Sequence, residues 1–115
     1  MLLENALNTT PQSAVWTAFD GSKFEFHVYG KGMQWPDRGG VYIFAYFDGT
    51  TWWPVYIGQT NSFKARLTGH PQWDQAVKCG ATHVLIRYVD DALTREVLEE
   101  RLIRSLQPSL NHQLK

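Results

Sequence analysis

The sequence predicts an α+β fold with a mainly antiparallel sheet. Three observations carry this. Two stretches rich in β-branched and aromatic residues are each split by a turn, at Asp20-Gly21-Ser22 and at Asp48-Gly49-Thr50, which is the pattern of a β-hairpin. A third dense strand pattern occupies residues 82–89. One long amphipathic run follows, opened by Asp90 or Asp91 and stopped by Pro108, as expected of a capped helix.

Taken in order, residues 1–14 are polar and are expected to fray or dock loosely. Residues 15–19 and 23–29 form the first hairpin, and the second arm alternates Phe24, Phe26, Val28 against Lys23, Glu25, His27, a half-buried strand. Residues 30–40 hold four glycines and Pro36, so they read as a loop. Residues 41–47 and 52–57 are the second hairpin. Pro54 lacks an amide donor, which calls for an edge or a bulge at that point, and Gly58-Gln59-Thr60 is expected to end the strand. Asn61 or Ser62 caps a short helix with Phe63 and Leu67 at i, i+4, stopping near Gly69. Pro71 opens a second helix through Trp73, Ala76 and Val77 that Gly80 ends, with Cys79 read as a core residue at its end. The long helix reaches about Leu106.

The 115 residues suit one domain. Area scaling buries roughly two-thirds of the unfolded surface at this size, enough for a core without staples. A hydrophobic fraction of 43% and an aromatic fraction of 14% argue against disorder. No apolar run approaches the ~18 residues of a membrane span and no signal-peptide pattern opens the chain, so a cytoplasmic location is expected. The lone Cys79 excludes an internal disulfide and a multi-cysteine zinc site. Net charge is zero, with eleven basic against eleven acidic side chains. Non-specific duplex binding should then be weak, because that attraction scales with the phosphates neutralised.

One residue breaks the pattern of the long helix. Leu98, Leu102, Ile103 and Leu106 form its apolar stripe. At 100° per residue Glu99 falls inside that stripe, while Glu100 points nearly opposite. A carboxylate on a core-facing ridge costs several kcal/mol if unpaired, as an order of magnitude. It needs an arginine, a polar network or a metal, and Arg66 or Arg87 would serve for a structural ion pair. Arg66 and His70 lie at i, i+4, and share a face if the short helix reaches that far. Tyr42 and Tyr56 sit on neighbouring strands and share a face if the register sum is even, as with Tyr42 opposite Tyr56.

These positions together resemble the GIY-YIG nuclease superfamily. Gly40-Val41-Tyr42 and Tyr56-Ile57-Gly58 resemble its paired signature, with Val41 in place of the middle Ile. Arg66 lies eight residues after Gly58 and His70 four after Arg66, as in the third motif. Glu99-Glu100-Arg101-Leu102-Ile103 resembles the family's E-x-x-L-I helix, and Pro108-Ser109-Leu110-Asn111 its closing P-x-x-N. The resemblance covers roughly residues 39–112, which divides the chain into a GIY-YIG core at 39–115 and an extension at 1–38 whose hairpin packs on the same domain. Gln59 stands where some members carry Lys.

What the resemblance implies is a phosphodiester hydrolase, a DNA endonuclease using one divalent cation, Mg²⁺ or Mn²⁺. Glu99 would be its one protein ligand, and the cation would polarise the phosphate and stabilise the leaving oxygen. Arg66 would hold the phosphate. Tyr42, Tyr56 and His70 would orient and deprotonate the attacking water. The free phenol titrates near ~10 and the free imidazole near ~6.5, which leaves Tyr42 and His70 both open as the base. Candidate nucleic-acid contacts are Gln59, Lys64, Asn111 and Trp35. Trp35 and Trp52 are expected to be exposed and to stack on unpaired bases, and Asn111 alternatively fixes the chain after the helix. The neutral charge, the lack of a duplex-reading module and the loop tryptophans favour single-stranded or branched DNA over duplex. A monomer is expected, since nicking one strand needs no symmetry, and no membrane partner is expected. The competing readings are a non-cleaving module on the same scaffold that binds nucleic acid or protein, and a structural α+β protein in which Glu99 merely pairs with Arg66.

Overall fold

Alternating and β-branched segments build five strands: β1 (Ser13–Thr17), β2 (Lys23–Gly30), β3 (Gly40–Phe47), β4 (Trp52–Thr60) and β5 (His83–Tyr88). The helices are α1 (Phe63–Leu67), α2 (Trp73–Lys78) and α3 (Ala92–Leu106), and a 3₁₀ segment, Ser109–Leu114, follows. This computed structural model describes residues 10–30 and 32–114, and the expectation for residues 1–9 lies outside them. The α+β class and the antiparallel sheet are as the sequence predicts. No helix among the described residues is long and apolar enough to cross a membrane.

All five strands form one sheet in the order β1-β2-β5-β3-β4, every pair antiparallel. Strand β5 thus joins the two hairpins, and the first hairpin extends the same sheet. The central strand β3 is buried on both faces. Val41, Ile43 and Ala45 face Leu98, Leu102 and Ile103 of α3. Tyr42 and Phe44 face Phe63 and Leu67 of α1 and Ala76 of α2. The sheet is therefore a middle layer, with α3 on one side and the two short helices on the other.

Several boundaries differ from expectation for local reasons. Residues 13–14 do not fray but start β1, where Ala14 packs into the core. Phe19 leaves the strand: Thr17 pairs with Lys23, Ala18 N–H donates to the Ser22 carbonyl at 2.8 Å, and Phe19 N–H donates to Ser105 Oγ at 3.1 Å. Strand β4 does not break at Gly58. It continues to Thr60, because Gly58, Gln59 and Thr60 pair with Tyr42, Val41 and Gly40. Cys79 is exposed rather than core, since only Ala76 of α2 turns fully inward. Pro54 lies on the edge strand β4 and beside a bulge: Tyr56 pairs with Phe44 but Pro54 with Ala45, leaving Val55 as the extra residue.

The β4 edge is closed by one side chain. Asn111 is fully buried, accepts from Ile57 N–H at 2.8 Å and donates to the Ile57 carbonyl at 2.9 Å. Its carboxamide imitates one step of a neighbouring strand. Asn111→Ala should leave both backbone groups buried and unpaired, and lower stability by about 3 kcal/mol in urea unfolding. A loss under about 0.5 kcal/mol, the range of ordinary surface changes, would contradict this role.

Candidate active site

Tyr42 is the centre of the site. It lies opposite Gly58, and Phe44 lies opposite Tyr56. The two phenols are therefore diagonal neighbours rather than direct partners, but the register sum is even, so they share a face with ring centroids 6.3 Å apart. A Cβ at Gly58 would collide with the Tyr42 ring and hydroxyl, so the ring lies across space that any other residue at 58 would fill. Gly40 is required similarly, by close approach of the Arg87 carbonyl and the Phe63 ring.

Arg66 reaches Tyr42 from a short, firmly capped helix. Ser62 Oγ accepts from Ala65 N–H at 3.1 Å and donates to Asp37 at 2.6 Å. The first amides of α1, on Phe63 and Lys64, donate to the carbonyls of Arg38 and Pro36. Arg66 Nε then donates to Tyr42 Oη at 3.4 Å. The guanidinium and Tyr42 favour each other's charged forms, which pushes the Arg66 pKa further up.

His70 is not on that helix, which ends at Leu67. Gly69, at φ 74°, turns the chain, and His70 arrives through this turn, 5% exposed. Its Nε2 lies 2.7 Å from Tyr42 Oη, while Gln72 N–H donates to its Nδ1 at 2.9 Å. A lone pair occupied at Nδ1 places the proton of the neutral ring on Nε2, so His70 donates to Tyr42. Burial, and secondarily the Arg66 charge, pull the His70 pKa down to about 4. Burial pushes Tyr42 up to about 12 against the pull of Arg66.

Glu99 is half-buried on α3, between buried Leu98 and exposed Glu100. Desolvation, then the charges of Glu96 and Glu100, push its pKa up. Its charge acts on both Tyr42 and Tyr56. Among the described residues it makes no ion pair or hydrogen bond. Arg66 is turned to the phenols, and Arg87 donates to the Glu25 carbonyl and lies over Phe24. The structural ion pair that periodicity allowed is therefore not formed. Tyr42, Tyr56, Arg66 and His70 thus meet on one face of the sheet, and Glu99 acts on the two phenols from α3.

The candidate nucleic-acid contacts divide differently. Lys64 is exposed on α1. Gln59 accepts from Arg95 Nε at 3.4 Å. Asn111 is not a surface contact, because burial and Ile57 consume its carboxamide. Trp35 is not an open stacking platform either: it is buried, edge-on to Tyr29. Trp52 is partly buried between Phe47 and His83, and Trp53 is the more exposed neighbour. Sequence reasoning missed Arg95, buried one turn before Glu99, which donates to the carbonyls of Val89 and Asp90. Its position three before Leu98 and four before Glu99 was the available signal.

Among the described residues no group of three or more His, Cys, Asp and Glu side chains forms a metal-binding cluster. Among the described residues Glu99 is the carboxylate that is half-buried without a protein cation beside it, a hard oxygen donor. That suits Mg²⁺ or Mn²⁺, which accept one or two carboxylates and retain waters. Comparison with known protein families, curated proteins and solved structures finds no match.

The His70 geometry has a consequence for stability. The unfolded imidazole titrates near ~6.5, the folded one at about 4. Between these values the unfolded chain binds more protons, so stability falls as pH drops from about 6.5 and levels off below about 4. The loss is on the order of 3 kcal/mol. Urea midpoints of wild type should decline through this window. His70→Asn should remove most of the slope, leaving a remainder from His83, whose pKa burial also lowers. An unchanged slope in His70→Asn would contradict a buried His70 that stays neutral in the folded protein.

Proposed function

We propose that the chain is a small GIY-YIG-type nuclease, a divalent-cation-dependent DNA endonuclease acting as a monomer on single-stranded or branched DNA. Glu99 carries the reading: a half-buried carboxylate without a protein counter-charge, beside a tyrosine held by a guanidinium and an imidazole. A desolvated, unpaired carboxylate is costly unless a ligand offsets it. A cation at Glu99 supplies Lewis-acid charge next to the phosphate and lowers the cost of a phenolate at Tyr42.

The chain's own groups divide the remaining work. Arg66 is exposed and not ion-paired among the described residues, so its fork of donors is available to a phosphate. His70 holds the Tyr42 oxygen and keeps its proton on Nε2, which leaves Tyr42 as the base. Arg66 and His70 both donate to Oη, so the tyrosine's own proton points away from them, and the phenolate retains both bonds after losing it. Tyr42 then accepts the proton of the attacking water. Tyr56 shares the field of Arg66 and Glu99 and lies beside Tyr42 on the same face. The zero net charge favours a substrate reached without a strong non-specific hold on duplex.

Purified protein with Mg²⁺ or Mn²⁺ should nick labelled single-stranded or branched DNA, and EDTA should stop it. Tyr42→Phe, Arg66→Ala and Glu99→Gln should each lower the rate by about 100-fold or more, the scale of losing one transition-state group. Glu100→Ala, on the solvent side of α3, should stay near wild type. The rate should climb with pH into the alkaline range as Tyr42 ionises, with no limb near 6.5 from His70. Equal damage from Glu100→Ala and Glu99→Gln, or full activity in EDTA, would overturn the assignment.

A further inference from the structure

A cavity of about 610 Å³ opens on the α1–α2 face, next to the proposed catalytic cluster. His70, whose Nε2 bonds Tyr42, is also part of its wall. Phe44, Trp35 and Trp73 line it, with Leu67 among its apolar surfaces. The rings are braced edge-on: Phe44 lies 5.0 Å from Trp73 and 5.0 Å from His70, centroid to centroid. Among the described lining residues the ionisable groups are His70 and Asp74, and there is no lysine or arginine. The cations Arg66 and Lys64 sit on α1, outside the cavity. Such a cavity rejects a phosphate and accepts an uncharged ring, while the neighbouring helix attracts the phosphate that the ring hangs from.

We propose that the cavity receives one unpaired nucleobase of the DNA strand presented to Tyr42, and that Asp74 accepts a hydrogen bond from the base's exocyclic amino group. The inference rests on the nuclease reading and deepens it: the substrate is a strand whose base at that position is free to leave the stack. Adenine, cytosine and guanine each carry an exocyclic amino group, whereas thymine offers a carboxylate only its N3–H, flanked on both sides by carbonyl oxygens that the carboxylate repels. Thymine is therefore the disfavoured base. Phe44 and His70 make the coupling direct, since seating a base presses on the imidazole that holds the tyrosine.

The test uses the whole chain in EDTA, with tryptophan fluorescence reporting on the cavity wall. Single-stranded hexanucleotides of dA, dC or dT are titrated beside an abasic hexamer of the same length. The dA and dC strands should bind about tenfold tighter than the abasic one, the scale of one stacked base, and dT should bind more weakly than either. Trp73→Ala should lose that gain. Asp74→Asn, an exposed substitution that leaves the core intact, should erase the preference against dT. Abasic and dA strands binding within twofold of each other, or an unchanged base order in Asp74→Asn, would overturn the proposal. Mg²⁺-dependent cleavage is measured separately. Cutting without base-dependent binding sinks the cavity assignment alone, and base-dependent binding without cutting sinks the nuclease reading alone.

Discussion

The hydroxyl of Tyr42 is the point on which the site depends. Gln72 N–H fixes the His70 tautomer, and His70 Nε2 bonds Tyr42 Oη at 2.7 Å. Arg66 Nε meets the same oxygen from another direction. The glycine at position 58 leaves the space in which the ring lies. One strand, its edge partner, a one-turn helix and a glycine turn thus converge on a single oxygen. Two donors, one of them cationic, favour the phenolate there, while burial and the Glu99 charge oppose it. A site balanced between these terms responds strongly to added positive charge, which is the physical basis for the proposed cation dependence.

The geometry of the sheet brings opposite faces together. Tyr42 and Tyr56 belong to the α1–α2 face, whereas Glu99 rides on α3, which covers the other. They come within electrostatic reach where the sheet ends at β4. Asn111 closes that edge at Ile57, between Tyr56 and Gly58 of the proposed site. Buried Arg95 ties the start of α3 to the carbonyls of Val89 and Asp90 and to Gln59 on β4. These contacts are structural, and their consequence is placement: they hold the acidic helix against the strand that carries the second tyrosine.

In the proposed reading, recognition and chemistry share His70. The ring is held neutral by burial and by its Gln72 bond, so it serves as an apolar wall on one side and a hydrogen-bond donor on the other. Such dual use would let the seating of an unpaired base report to the tyrosine without a separate moving part. It would also supply a source of single-strand preference other than exposed tryptophans, since Trp35 is buried.

Local pattern determined a good deal by itself. The α+β class, the two hairpins, the Ser62 and Asp91 caps of α1 and α3, and the inward bias of Glu99 all follow from periodicity and turn chemistry, which act over a few residues. Parity of register was enough to put Tyr42 and Tyr56 on one face. Tertiary structure alone decided the rest. It set the actual register, Tyr42 against Gly58, through a bulge at Val55. It brought His70 to Tyr42 through a turn rather than a helix, buried Trp35 and Asn111, exposed Cys79, and left Glu99 unpaired. Each of these depends on packing between segments distant in the chain, where burial and hydrogen-bond satisfaction override what any short stretch prefers.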